Sequence, residues 1–350
     1  MTYPQPIPDY PIDSDVNLPP RGVWPAAIHR FEPEHAAALR AAEAAGRPLL
    51  VRGLPGVGKS QLARAAAAAA RRRFVWAVID GRTEAQDLQW RFDAVRRLAD
   101  AQSHPGDKLP VKNYISPGPL WAAFNWQDAV DWCVKHHGVN ALPAWMDAET
   151  WRSAEAKGDA GPTQRPVDAP ADHKVVLLLD EIDKADADLP NALLEALSGN
   201  GFTPTVPGVP AVVCAPQNRP LIIITTNEER ELPPAFLRRC FVIELTLPKD
   251  DPGLTAHLVA LAKSHQNYLV LCGQRQAAQV CSKKVLTQAV QALLAARDDA
   301  RANQAYLPAT AEYLDLVRAL ATLFPGSDAD QLENLTLLKT YALKKWVHQG

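Results

Sequence analysis

Five short apolar runs punctuate the first 250 residues: Pro48–Gly53, Phe74–Asp80, Val175–Asp180, Leu221–Thr226 and Phe241–Leu247. Each is largely apolar, as a buried strand is. Helical patterns separate several of them, at Phe31–Ala45, Ser60–Arg72, Gln86–Ala101 and Leu189–Leu197. Strands that alternate with helices predict an α/β layer built on a parallel sheet. After Pro248 the strand pattern stops. Amphipathic helical patterns follow at about Gly253–His265, Lys284–Ala296, Ala309–Leu323 and Asp328–His348, which predicts a separate helical domain.

The ends and the middle of the chain read differently. Seven prolines among the first 25 residues predict an extended arm of polyproline character over residues 1–25. The core domain is then expected over residues 26–248 and the helical domain over 249–350. Between Ser103 and His173 lies an insertion holding Trp121, Trp126, Trp132, Trp145 and Trp151, and the polar stretch Ser153–Lys174 within it reads as a mobile loop. No internal repeat stands out.

Composition narrows the function classes. The chain has 350 residues, 47% hydrophobic, and 37 basic against 39 acidic residues give a net charge of −2. That balance argues against a globally cationic binder of nucleic acid or membrane surfaces. Five cysteines without a C-x-x-C pair support neither a disulfide framework nor a zinc ribbon, so reduced thiols are expected. No run approaches the ~18 apolar residues that cross a bilayer, and the N-terminus lacks a basic start followed by an apolar stretch. The expectation is a soluble, cytoplasmic protein.

The strongest chemical signal is Gly53-Leu54-Pro55-Gly56-Val57-Gly58-Lys59-Ser60, followed by Gln61. It fits G-x-x-x-x-G-K-[ST] and lies after a predicted strand at the opening of a predicted helix. Glycines let backbone N–H groups converge on phosphate oxygens, the helix N-terminus adds partial positive charge, and Lys59 supplies a point charge. Ser60 is the expected magnesium ligand. The strand Val175–Asp180 delivers Asp180 and Glu181 to the sheet edge where open α/β folds bind ligands. Alone, two such acids read more readily as a solvated turn. With the phosphate loop they read as a metal-holding acid, Asp180, and a water-activating acid, Glu181. Asn227 ends the next strand and could hold the attacking water without adding negative charge. Arg238 and Arg239 precede the last strand, either capping a helix or reaching a neighbouring subunit's nucleotide. Arg71–Arg73 read as a helix end, His136 and His137 as ordinary polar residues, and the tryptophans as core or domain-interface residues rather than base-stacking platforms.

This order of parts resembles the AAA+ ATPases, and more closely their MoxR-like branch. Besides the nucleotide motifs, the segments Arg82–Asp93, Gly118-Pro119-Leu120 and Asp180–Ala185 running into Pro190–Glu195 are similar to that branch, so the resemblance covers about Phe31 to Leu323. It implies a P-loop three-layer αβα core with a parallel five-stranded sheet and a C-terminal helical lid. It also implies ATP and Mg2+ as ligands, Asn227 as the first sensor, and Arg239, with Arg238 second, acting in trans within a hexameric ring that remodels a partner protein. The stretch Gly201–Val213 resembles the hairpin which this branch directs to the ring centre, and reads equally well as a packed surface loop. One element departs from the pattern: Leu307-Pro308-Ala309-Thr310-Ala311-Glu312 lacks the arginine expected after the proline, so either Arg318 or Arg301 fills that role or nucleotide-driven lid closure is weaker than usual. A nucleic-acid-directed motor and a nucleotide-gated binding switch are the alternative readings.

Overall fold

The structure is a computed structural model that describes residues 7–137 and 174–344. In chain order its main elements are β1 (Ser14–Leu18), β2 (Ala27–Phe31), α1 (Pro33–Ala45), β3 (Leu49–Arg52), α2 (Lys59–Ala69), β4 (Arg73–Val78), α3 (Ala85–Gln89), β5 (Trp90–Phe92), α4 (Ala94–Ser103), β6 (Ile115–Pro117), α5 (Pro119–Phe124) and α6 (Trp126–His137). There follow β7 (Val175–Asp180), α7 (Leu189–Gly199), β8 (Gly201–Phe202), β9 (Val212–Val213), β10 (Leu221–Thr225), α8 (Pro234–Leu237), β11 (Phe241–Glu244), α9 (Asp251–Leu271), α10 (Lys283–Ala302), α11 (Thr310–Leu323) and α12 (Asp328–Leu343).

All five predicted strands enter one sheet, in the order β11-β3-β10-β7-β4. The pairings of β3 with β10, β10 with β7 and β7 with β4 are parallel, with Val51 beside Thr225, Leu179 beside Ile224 and Asp180 beside Val78. Parallel pairing brings the C-terminal ends of β3, β10 and β7 to a single edge. Val175 to Leu179 are wholly buried, which accounts for the unbroken apolar run in β7. This is the α/β sheet that the sequence predicts, and a helical C-terminal region follows it.

The described residues fall into two compact units. One draws on Met1–Ile12, Glu32–Arg52 and Leu62–Ile243. Its core joins Leu50, Val75, Leu177, Leu179 and Ile224 to Trp121, Phe124 and Trp132. Trp121 and Trp132 pack as core residues with their polar edges satisfied: Trp121 Nε1 donates to Asp128 at 2.7 Å and Trp132 Nε1 to the Ile115 carbonyl at 2.9 Å. The other unit draws on Asp13–Phe31, Gly53–Gln61 and Glu244–Gly350. Here α9 to α12 share a core that includes Leu258, Leu286, Leu293, Tyr313, Leu316 and Leu320.

Two expectations need correction. Part of the N-terminal arm is a hairpin: β1 and β2 pair antiparallel, and Ala26 and Ile28 pack on Tyr268 and Leu269 of α9. Pro19, Pro20 and Pro25 lie outside the strands, in the connection, where no ladder N–H is needed. The single helix expected over Gln86–Ala101 is broken into α3 and α4 by β5, which pairs with β6. Gly118 lies close against the break: its N–H bonds the Gln89 carbonyl at 2.8 Å and a Cβ there would stand 2.5 Å from the Leu88 carbonyl oxygen. Asp93 then restarts the helix as its N-cap, accepting from the Arg96 N–H at 2.8 Å. The resulting α4 buries none of its own residues. The five cysteines carry free thiols. The mobile loop expected at Ser153–Lys174, Trp145 and Trp151, and both chain ends beyond residues 7 and 344 lie outside the described residues, Lys174 excepted.

Candidate functional site

The chain leaves β3 at the sheet edge and enters the glycine loop. Gly53, Gly56 and Gly58 have φ of 141°, 78° and 101°, conformations that L side chains rarely adopt. A Cβ at Gly53 would also stand 2.5 Å from the Leu245 carbonyl oxygen, whereas one at Gly58 would meet nothing within 4 Å. The loop is thus closely backed at its start and open at Gly58, as a cradle for an anion must be. Lys59 and Ser60 open α2, the 11-residue helix that contributes its N-terminal amides. Lys59 is buried, and its Nζ donates to the carbonyls of Gly53 at 2.7 Å and Leu54 at 3.0 Å, so the cation is held against its own loop. Ser60 and Gln61 are half-buried.

At the ends of β7 and β10 a second group of residues is tied together. Asp180 Oδ1 accepts from Thr225 Oγ1 at 2.5 Å, and the same oxygen of Thr225 accepts from the Glu181 N–H at 2.9 Å. Glu181 has φ 61° and ψ 49°. A left-handed glutamate is strained by roughly 1–3 kcal/mol, a cost met where neighbouring bonds over-determine the backbone. Its carboxylate takes Lys184 Nζ at 2.7 Å on Oε2 and Asn227 Nδ2 at 3.4 Å on Oε1. The hydrogen bond and charge of Glu181, with Glu229 and Asp183 nearby, raise the Lys184 amine above the usual lysine range. Asp183 is buried, and its Oδ2 accepts the N–H groups of Asn227 at 3.1 Å and Glu229 at 2.9 Å.

The structure therefore brings Asp180, Glu181 and Asn227 together. Sequence reasoning missed Thr225, Asp183 and Lys184. Thr225 hides in a β-branched run that reads only as strand, and Asp183 and Lys184 sit in a turn whose acids read as solvated. Oxygen donors from Ser60 and Asp180 are of the hard type that suits magnesium, and the amide-lined loop suits a polyphosphate.

Other candidates lie apart from this group or make their own bonds. Arg238 and Arg239 follow α8 and are exposed, with Arg239 Nη1 donating to the Ala235 carbonyl at 2.9 Å. In the helical unit Arg301 pairs with Asp298 at 2.8 Å and Arg318 with Asp315 at 3.0 Å. The groups nearest a Cβ built on Gly56 are instead Ala311 at 3.1 Å, the Glu312 carboxylate at 3.4 Å and Ala309 at 3.5 Å. The N-terminus of α11 thus meets the glycine loop, and the buried Arg297 donates to the Pro308 carbonyl just before it at 2.7 Å.

No curated protein matches the sequence. Among solved structures, a “putative ATPase” from Cytophaga hutchinsonii is similar over 88% of this chain and 79% of its own, with 14% identity and a TM-score of 0.37. That overlap is loose, and the assignment rests on the family profile. Residues 48–240, more than half of the chain, match the AAA domain, dynein-related subfamily, and the chain belongs to that family of ATPases.

Proposed function

We propose that this AAA ATPase is of the MoxR-like type and hydrolyses ATP with magnesium within a homo-oligomeric ring, a hexamer, to remodel or activate a partner protein. The observation that carries the reading is the bonded group Asp180, Glu181, Thr225 and Asn227 at the sheet edge from which β3 enters the glycine loop. Loop amides from Gly53 to Gln61 and the Lys59 ammonium would bind the phosphates. Ser60 and Asp180 would hold magnesium, which when bound neutralises phosphate charge. Glu181 would take a proton from the attacking water, and Asn227 would keep that water aimed. Arg239, with Arg238 as the second candidate, would stabilise charge on the neighbouring subunit's nucleotide. The hairpin of β8 and β9 supports a surface turned to the ring centre, as in the branch it resembles.

Titration of a fluorescent ATP analogue, with phosphate release measured in parallel, tests the reading. The parent should bind and hydrolyse ATP with activity per subunit rising with protein concentration, and Lys59→Ala should lose binding. A parent with no nucleotide affinity would end the proposal. A second reading, a binding switch in which hydrolysis only resets the lid, is favoured by the sequence departure at Leu307–Glu312, where no arginine follows Pro308. Partner capture that is equal with ATP and with a non-hydrolysable analogue, with no remodelling on turnover, would favour it.

A further inference from the structure

Asp180 and Glu181 are neighbours in sequence, yet the reading above gives them different tasks. Something must hold the two carboxylates in a fixed relation. Glu181 leaves the strand in a left-handed conformation, φ 61°, which turns the chain abruptly after Asp180. The turn is closed behind it by the Lys184 N–H, which donates to the Glu181 carbonyl at 3.0 Å. In front of it stands one hydroxyl.

We infer that Thr225, at the end of β10, is a positioning residue whose hydroxyl fixes the Asp180 carboxylate and the Glu181 backbone together; the inference rests on the ATPase reading of that pair. The directions of the two bonds are forced. An amide N–H can only donate, so at 2.9 Å the Thr225 oxygen accepts from Glu181. The one hydroxyl proton is then left for Asp180 Oδ1, at 2.5 Å. A hydroxyl can do both at once, whereas a methyl group of the same shape can do neither. Thr225 is wholly buried, so water does not compete for either bond. Its place is set by the sheet, where it lies in register with Val51 of β3, while the preceding Ile224 pairs with Leu179 of β7. Asp180 is thereby tied on one side to β10, and the strained backbone of Glu181 is tied to the same atom.

The ends of β7 and β10 are joined a second time in the opposite sense, because Asp183 accepts the N–H groups of Asn227 and Glu229. Removing the Thr225 hydroxyl should therefore loosen the acid pair without separating the strands. Thr225 touches no reacting atom in this account and acts only through the two acids.

The test compares Thr225→Val, which keeps the branched shape and removes the hydroxyl, with Thr225→Ser, which keeps the hydroxyl and removes a methyl group. Hydrogen exchange of the Glu181 amide, measured without nucleotide, should be faster in Thr225→Val and parent-like in Thr225→Ser. Under saturating ATP, Thr225→Val should lose roughly ten- to a hundredfold in kcat and need more magnesium for half-maximal rate, while Thr225→Ser should stay within about threefold of the parent, the range seen when partners of a metal ligand are removed or kept. Unchanged exchange and rate in Thr225→Val would overturn the inference, as would equal damage in a folded Thr225→Ser, which would make the effect one of volume. If Thr225→Val fails to fold, the Ser variant decides by the same criterion. A parent that neither binds nor hydrolyses ATP would remove the ATPase reading, while the exchange comparison would still show whether the hydroxyl orders the pair.

Discussion

Replacing Glu181 by Gln removes the carboxylate proposed to accept a proton and almost nothing else. The side chain keeps its length, its amide oxygen can still accept from Asn227 Nδ2, and the backbone bonds of Glu181 to Thr225 and Lys184 do not involve the carboxylate. The bond at risk is the 2.7 Å ion pair with Lys184, whose side chains are 31% and 41% exposed. At that exposure solvent screens the pair, and its loss costs about 1 kcal/mol or less. For a domain of this size that is a shift in Tm of roughly 2–4 °C. Loss of a positioned general base costs on the order of 10²–10⁴ in rate. Chemistry should therefore fall by orders of magnitude in a protein that is folded and still binds ATP. Phosphate release at saturating ATP and magnesium, nucleotide titration and a thermal melt together measure the three quantities. A folded variant that keeps more than about a tenth of the parental rate would refute the assignment, since general bases contribute at least roughly a hundredfold.

Three further outcomes are expected. Arg239→Ala should bind ATP like the parent but hydrolyse slowly, and mixing it with the Glu181→Gln variant should restore turnover in mixed rings; no rescue across mixing ratios would count against action in trans. Burial, with Arg318 and Arg275 nearby, lowers His265 from 6.5 to about 4. As pH falls, the unfolded chain takes up the proton first, so stability is full above about 6.5 and declines down to about 4. His265→Gln should flatten that part of a plot of Tm against pH, and an unchanged slope would refute the origin. Gly118→Ala would place a Cβ 2.5 Å from the Leu88 carbonyl oxygen. It should destabilise the fold by about 1–3 kcal/mol, read from denaturant midpoints, because backbone must move to admit it; a neutral result would show that the β5–β6 neck is pliable.

The sheet was legible because its central strands are apolar on both faces, so Val175–Leu179 or Leu221–Ile224 admits one interpretation. The loop and Asp180–Glu181 were legible for a different reason, since their chemistry needs particular residues in a particular order. Where partners are far apart in sequence the pattern carried no signal. The β1–β2 hairpin depends on Ala26 and Ile28 finding Tyr268 and Leu269, some 240 residues on, and its prolines pointed the other way. Helical periodicity runs across Trp90–Phe92, where the chain instead pairs with β6 and lies close to Gly118. Thr225 and Asp183 were invisible for a related reason: their roles consist entirely of bonds across 44 to 46 residues of chain.

The helix α4 carries one last consequence. It buries no residue, leaves Val95 80% and Leu98 60% exposed, and stands on strands of three residues each. Its anchors are polar, among them the Asp93 cap, the Tyr114 hydroxyl that donates to Asp100 at 2.8 Å and the Arg96 guanidinium 2.8 Å from His137 Nδ1. A rod with no share in the core can swing or fray at little cost to the rest of the molecule. Sequence drift along its outer surface would alter what the rod meets and leave the folding of the sheet untouched.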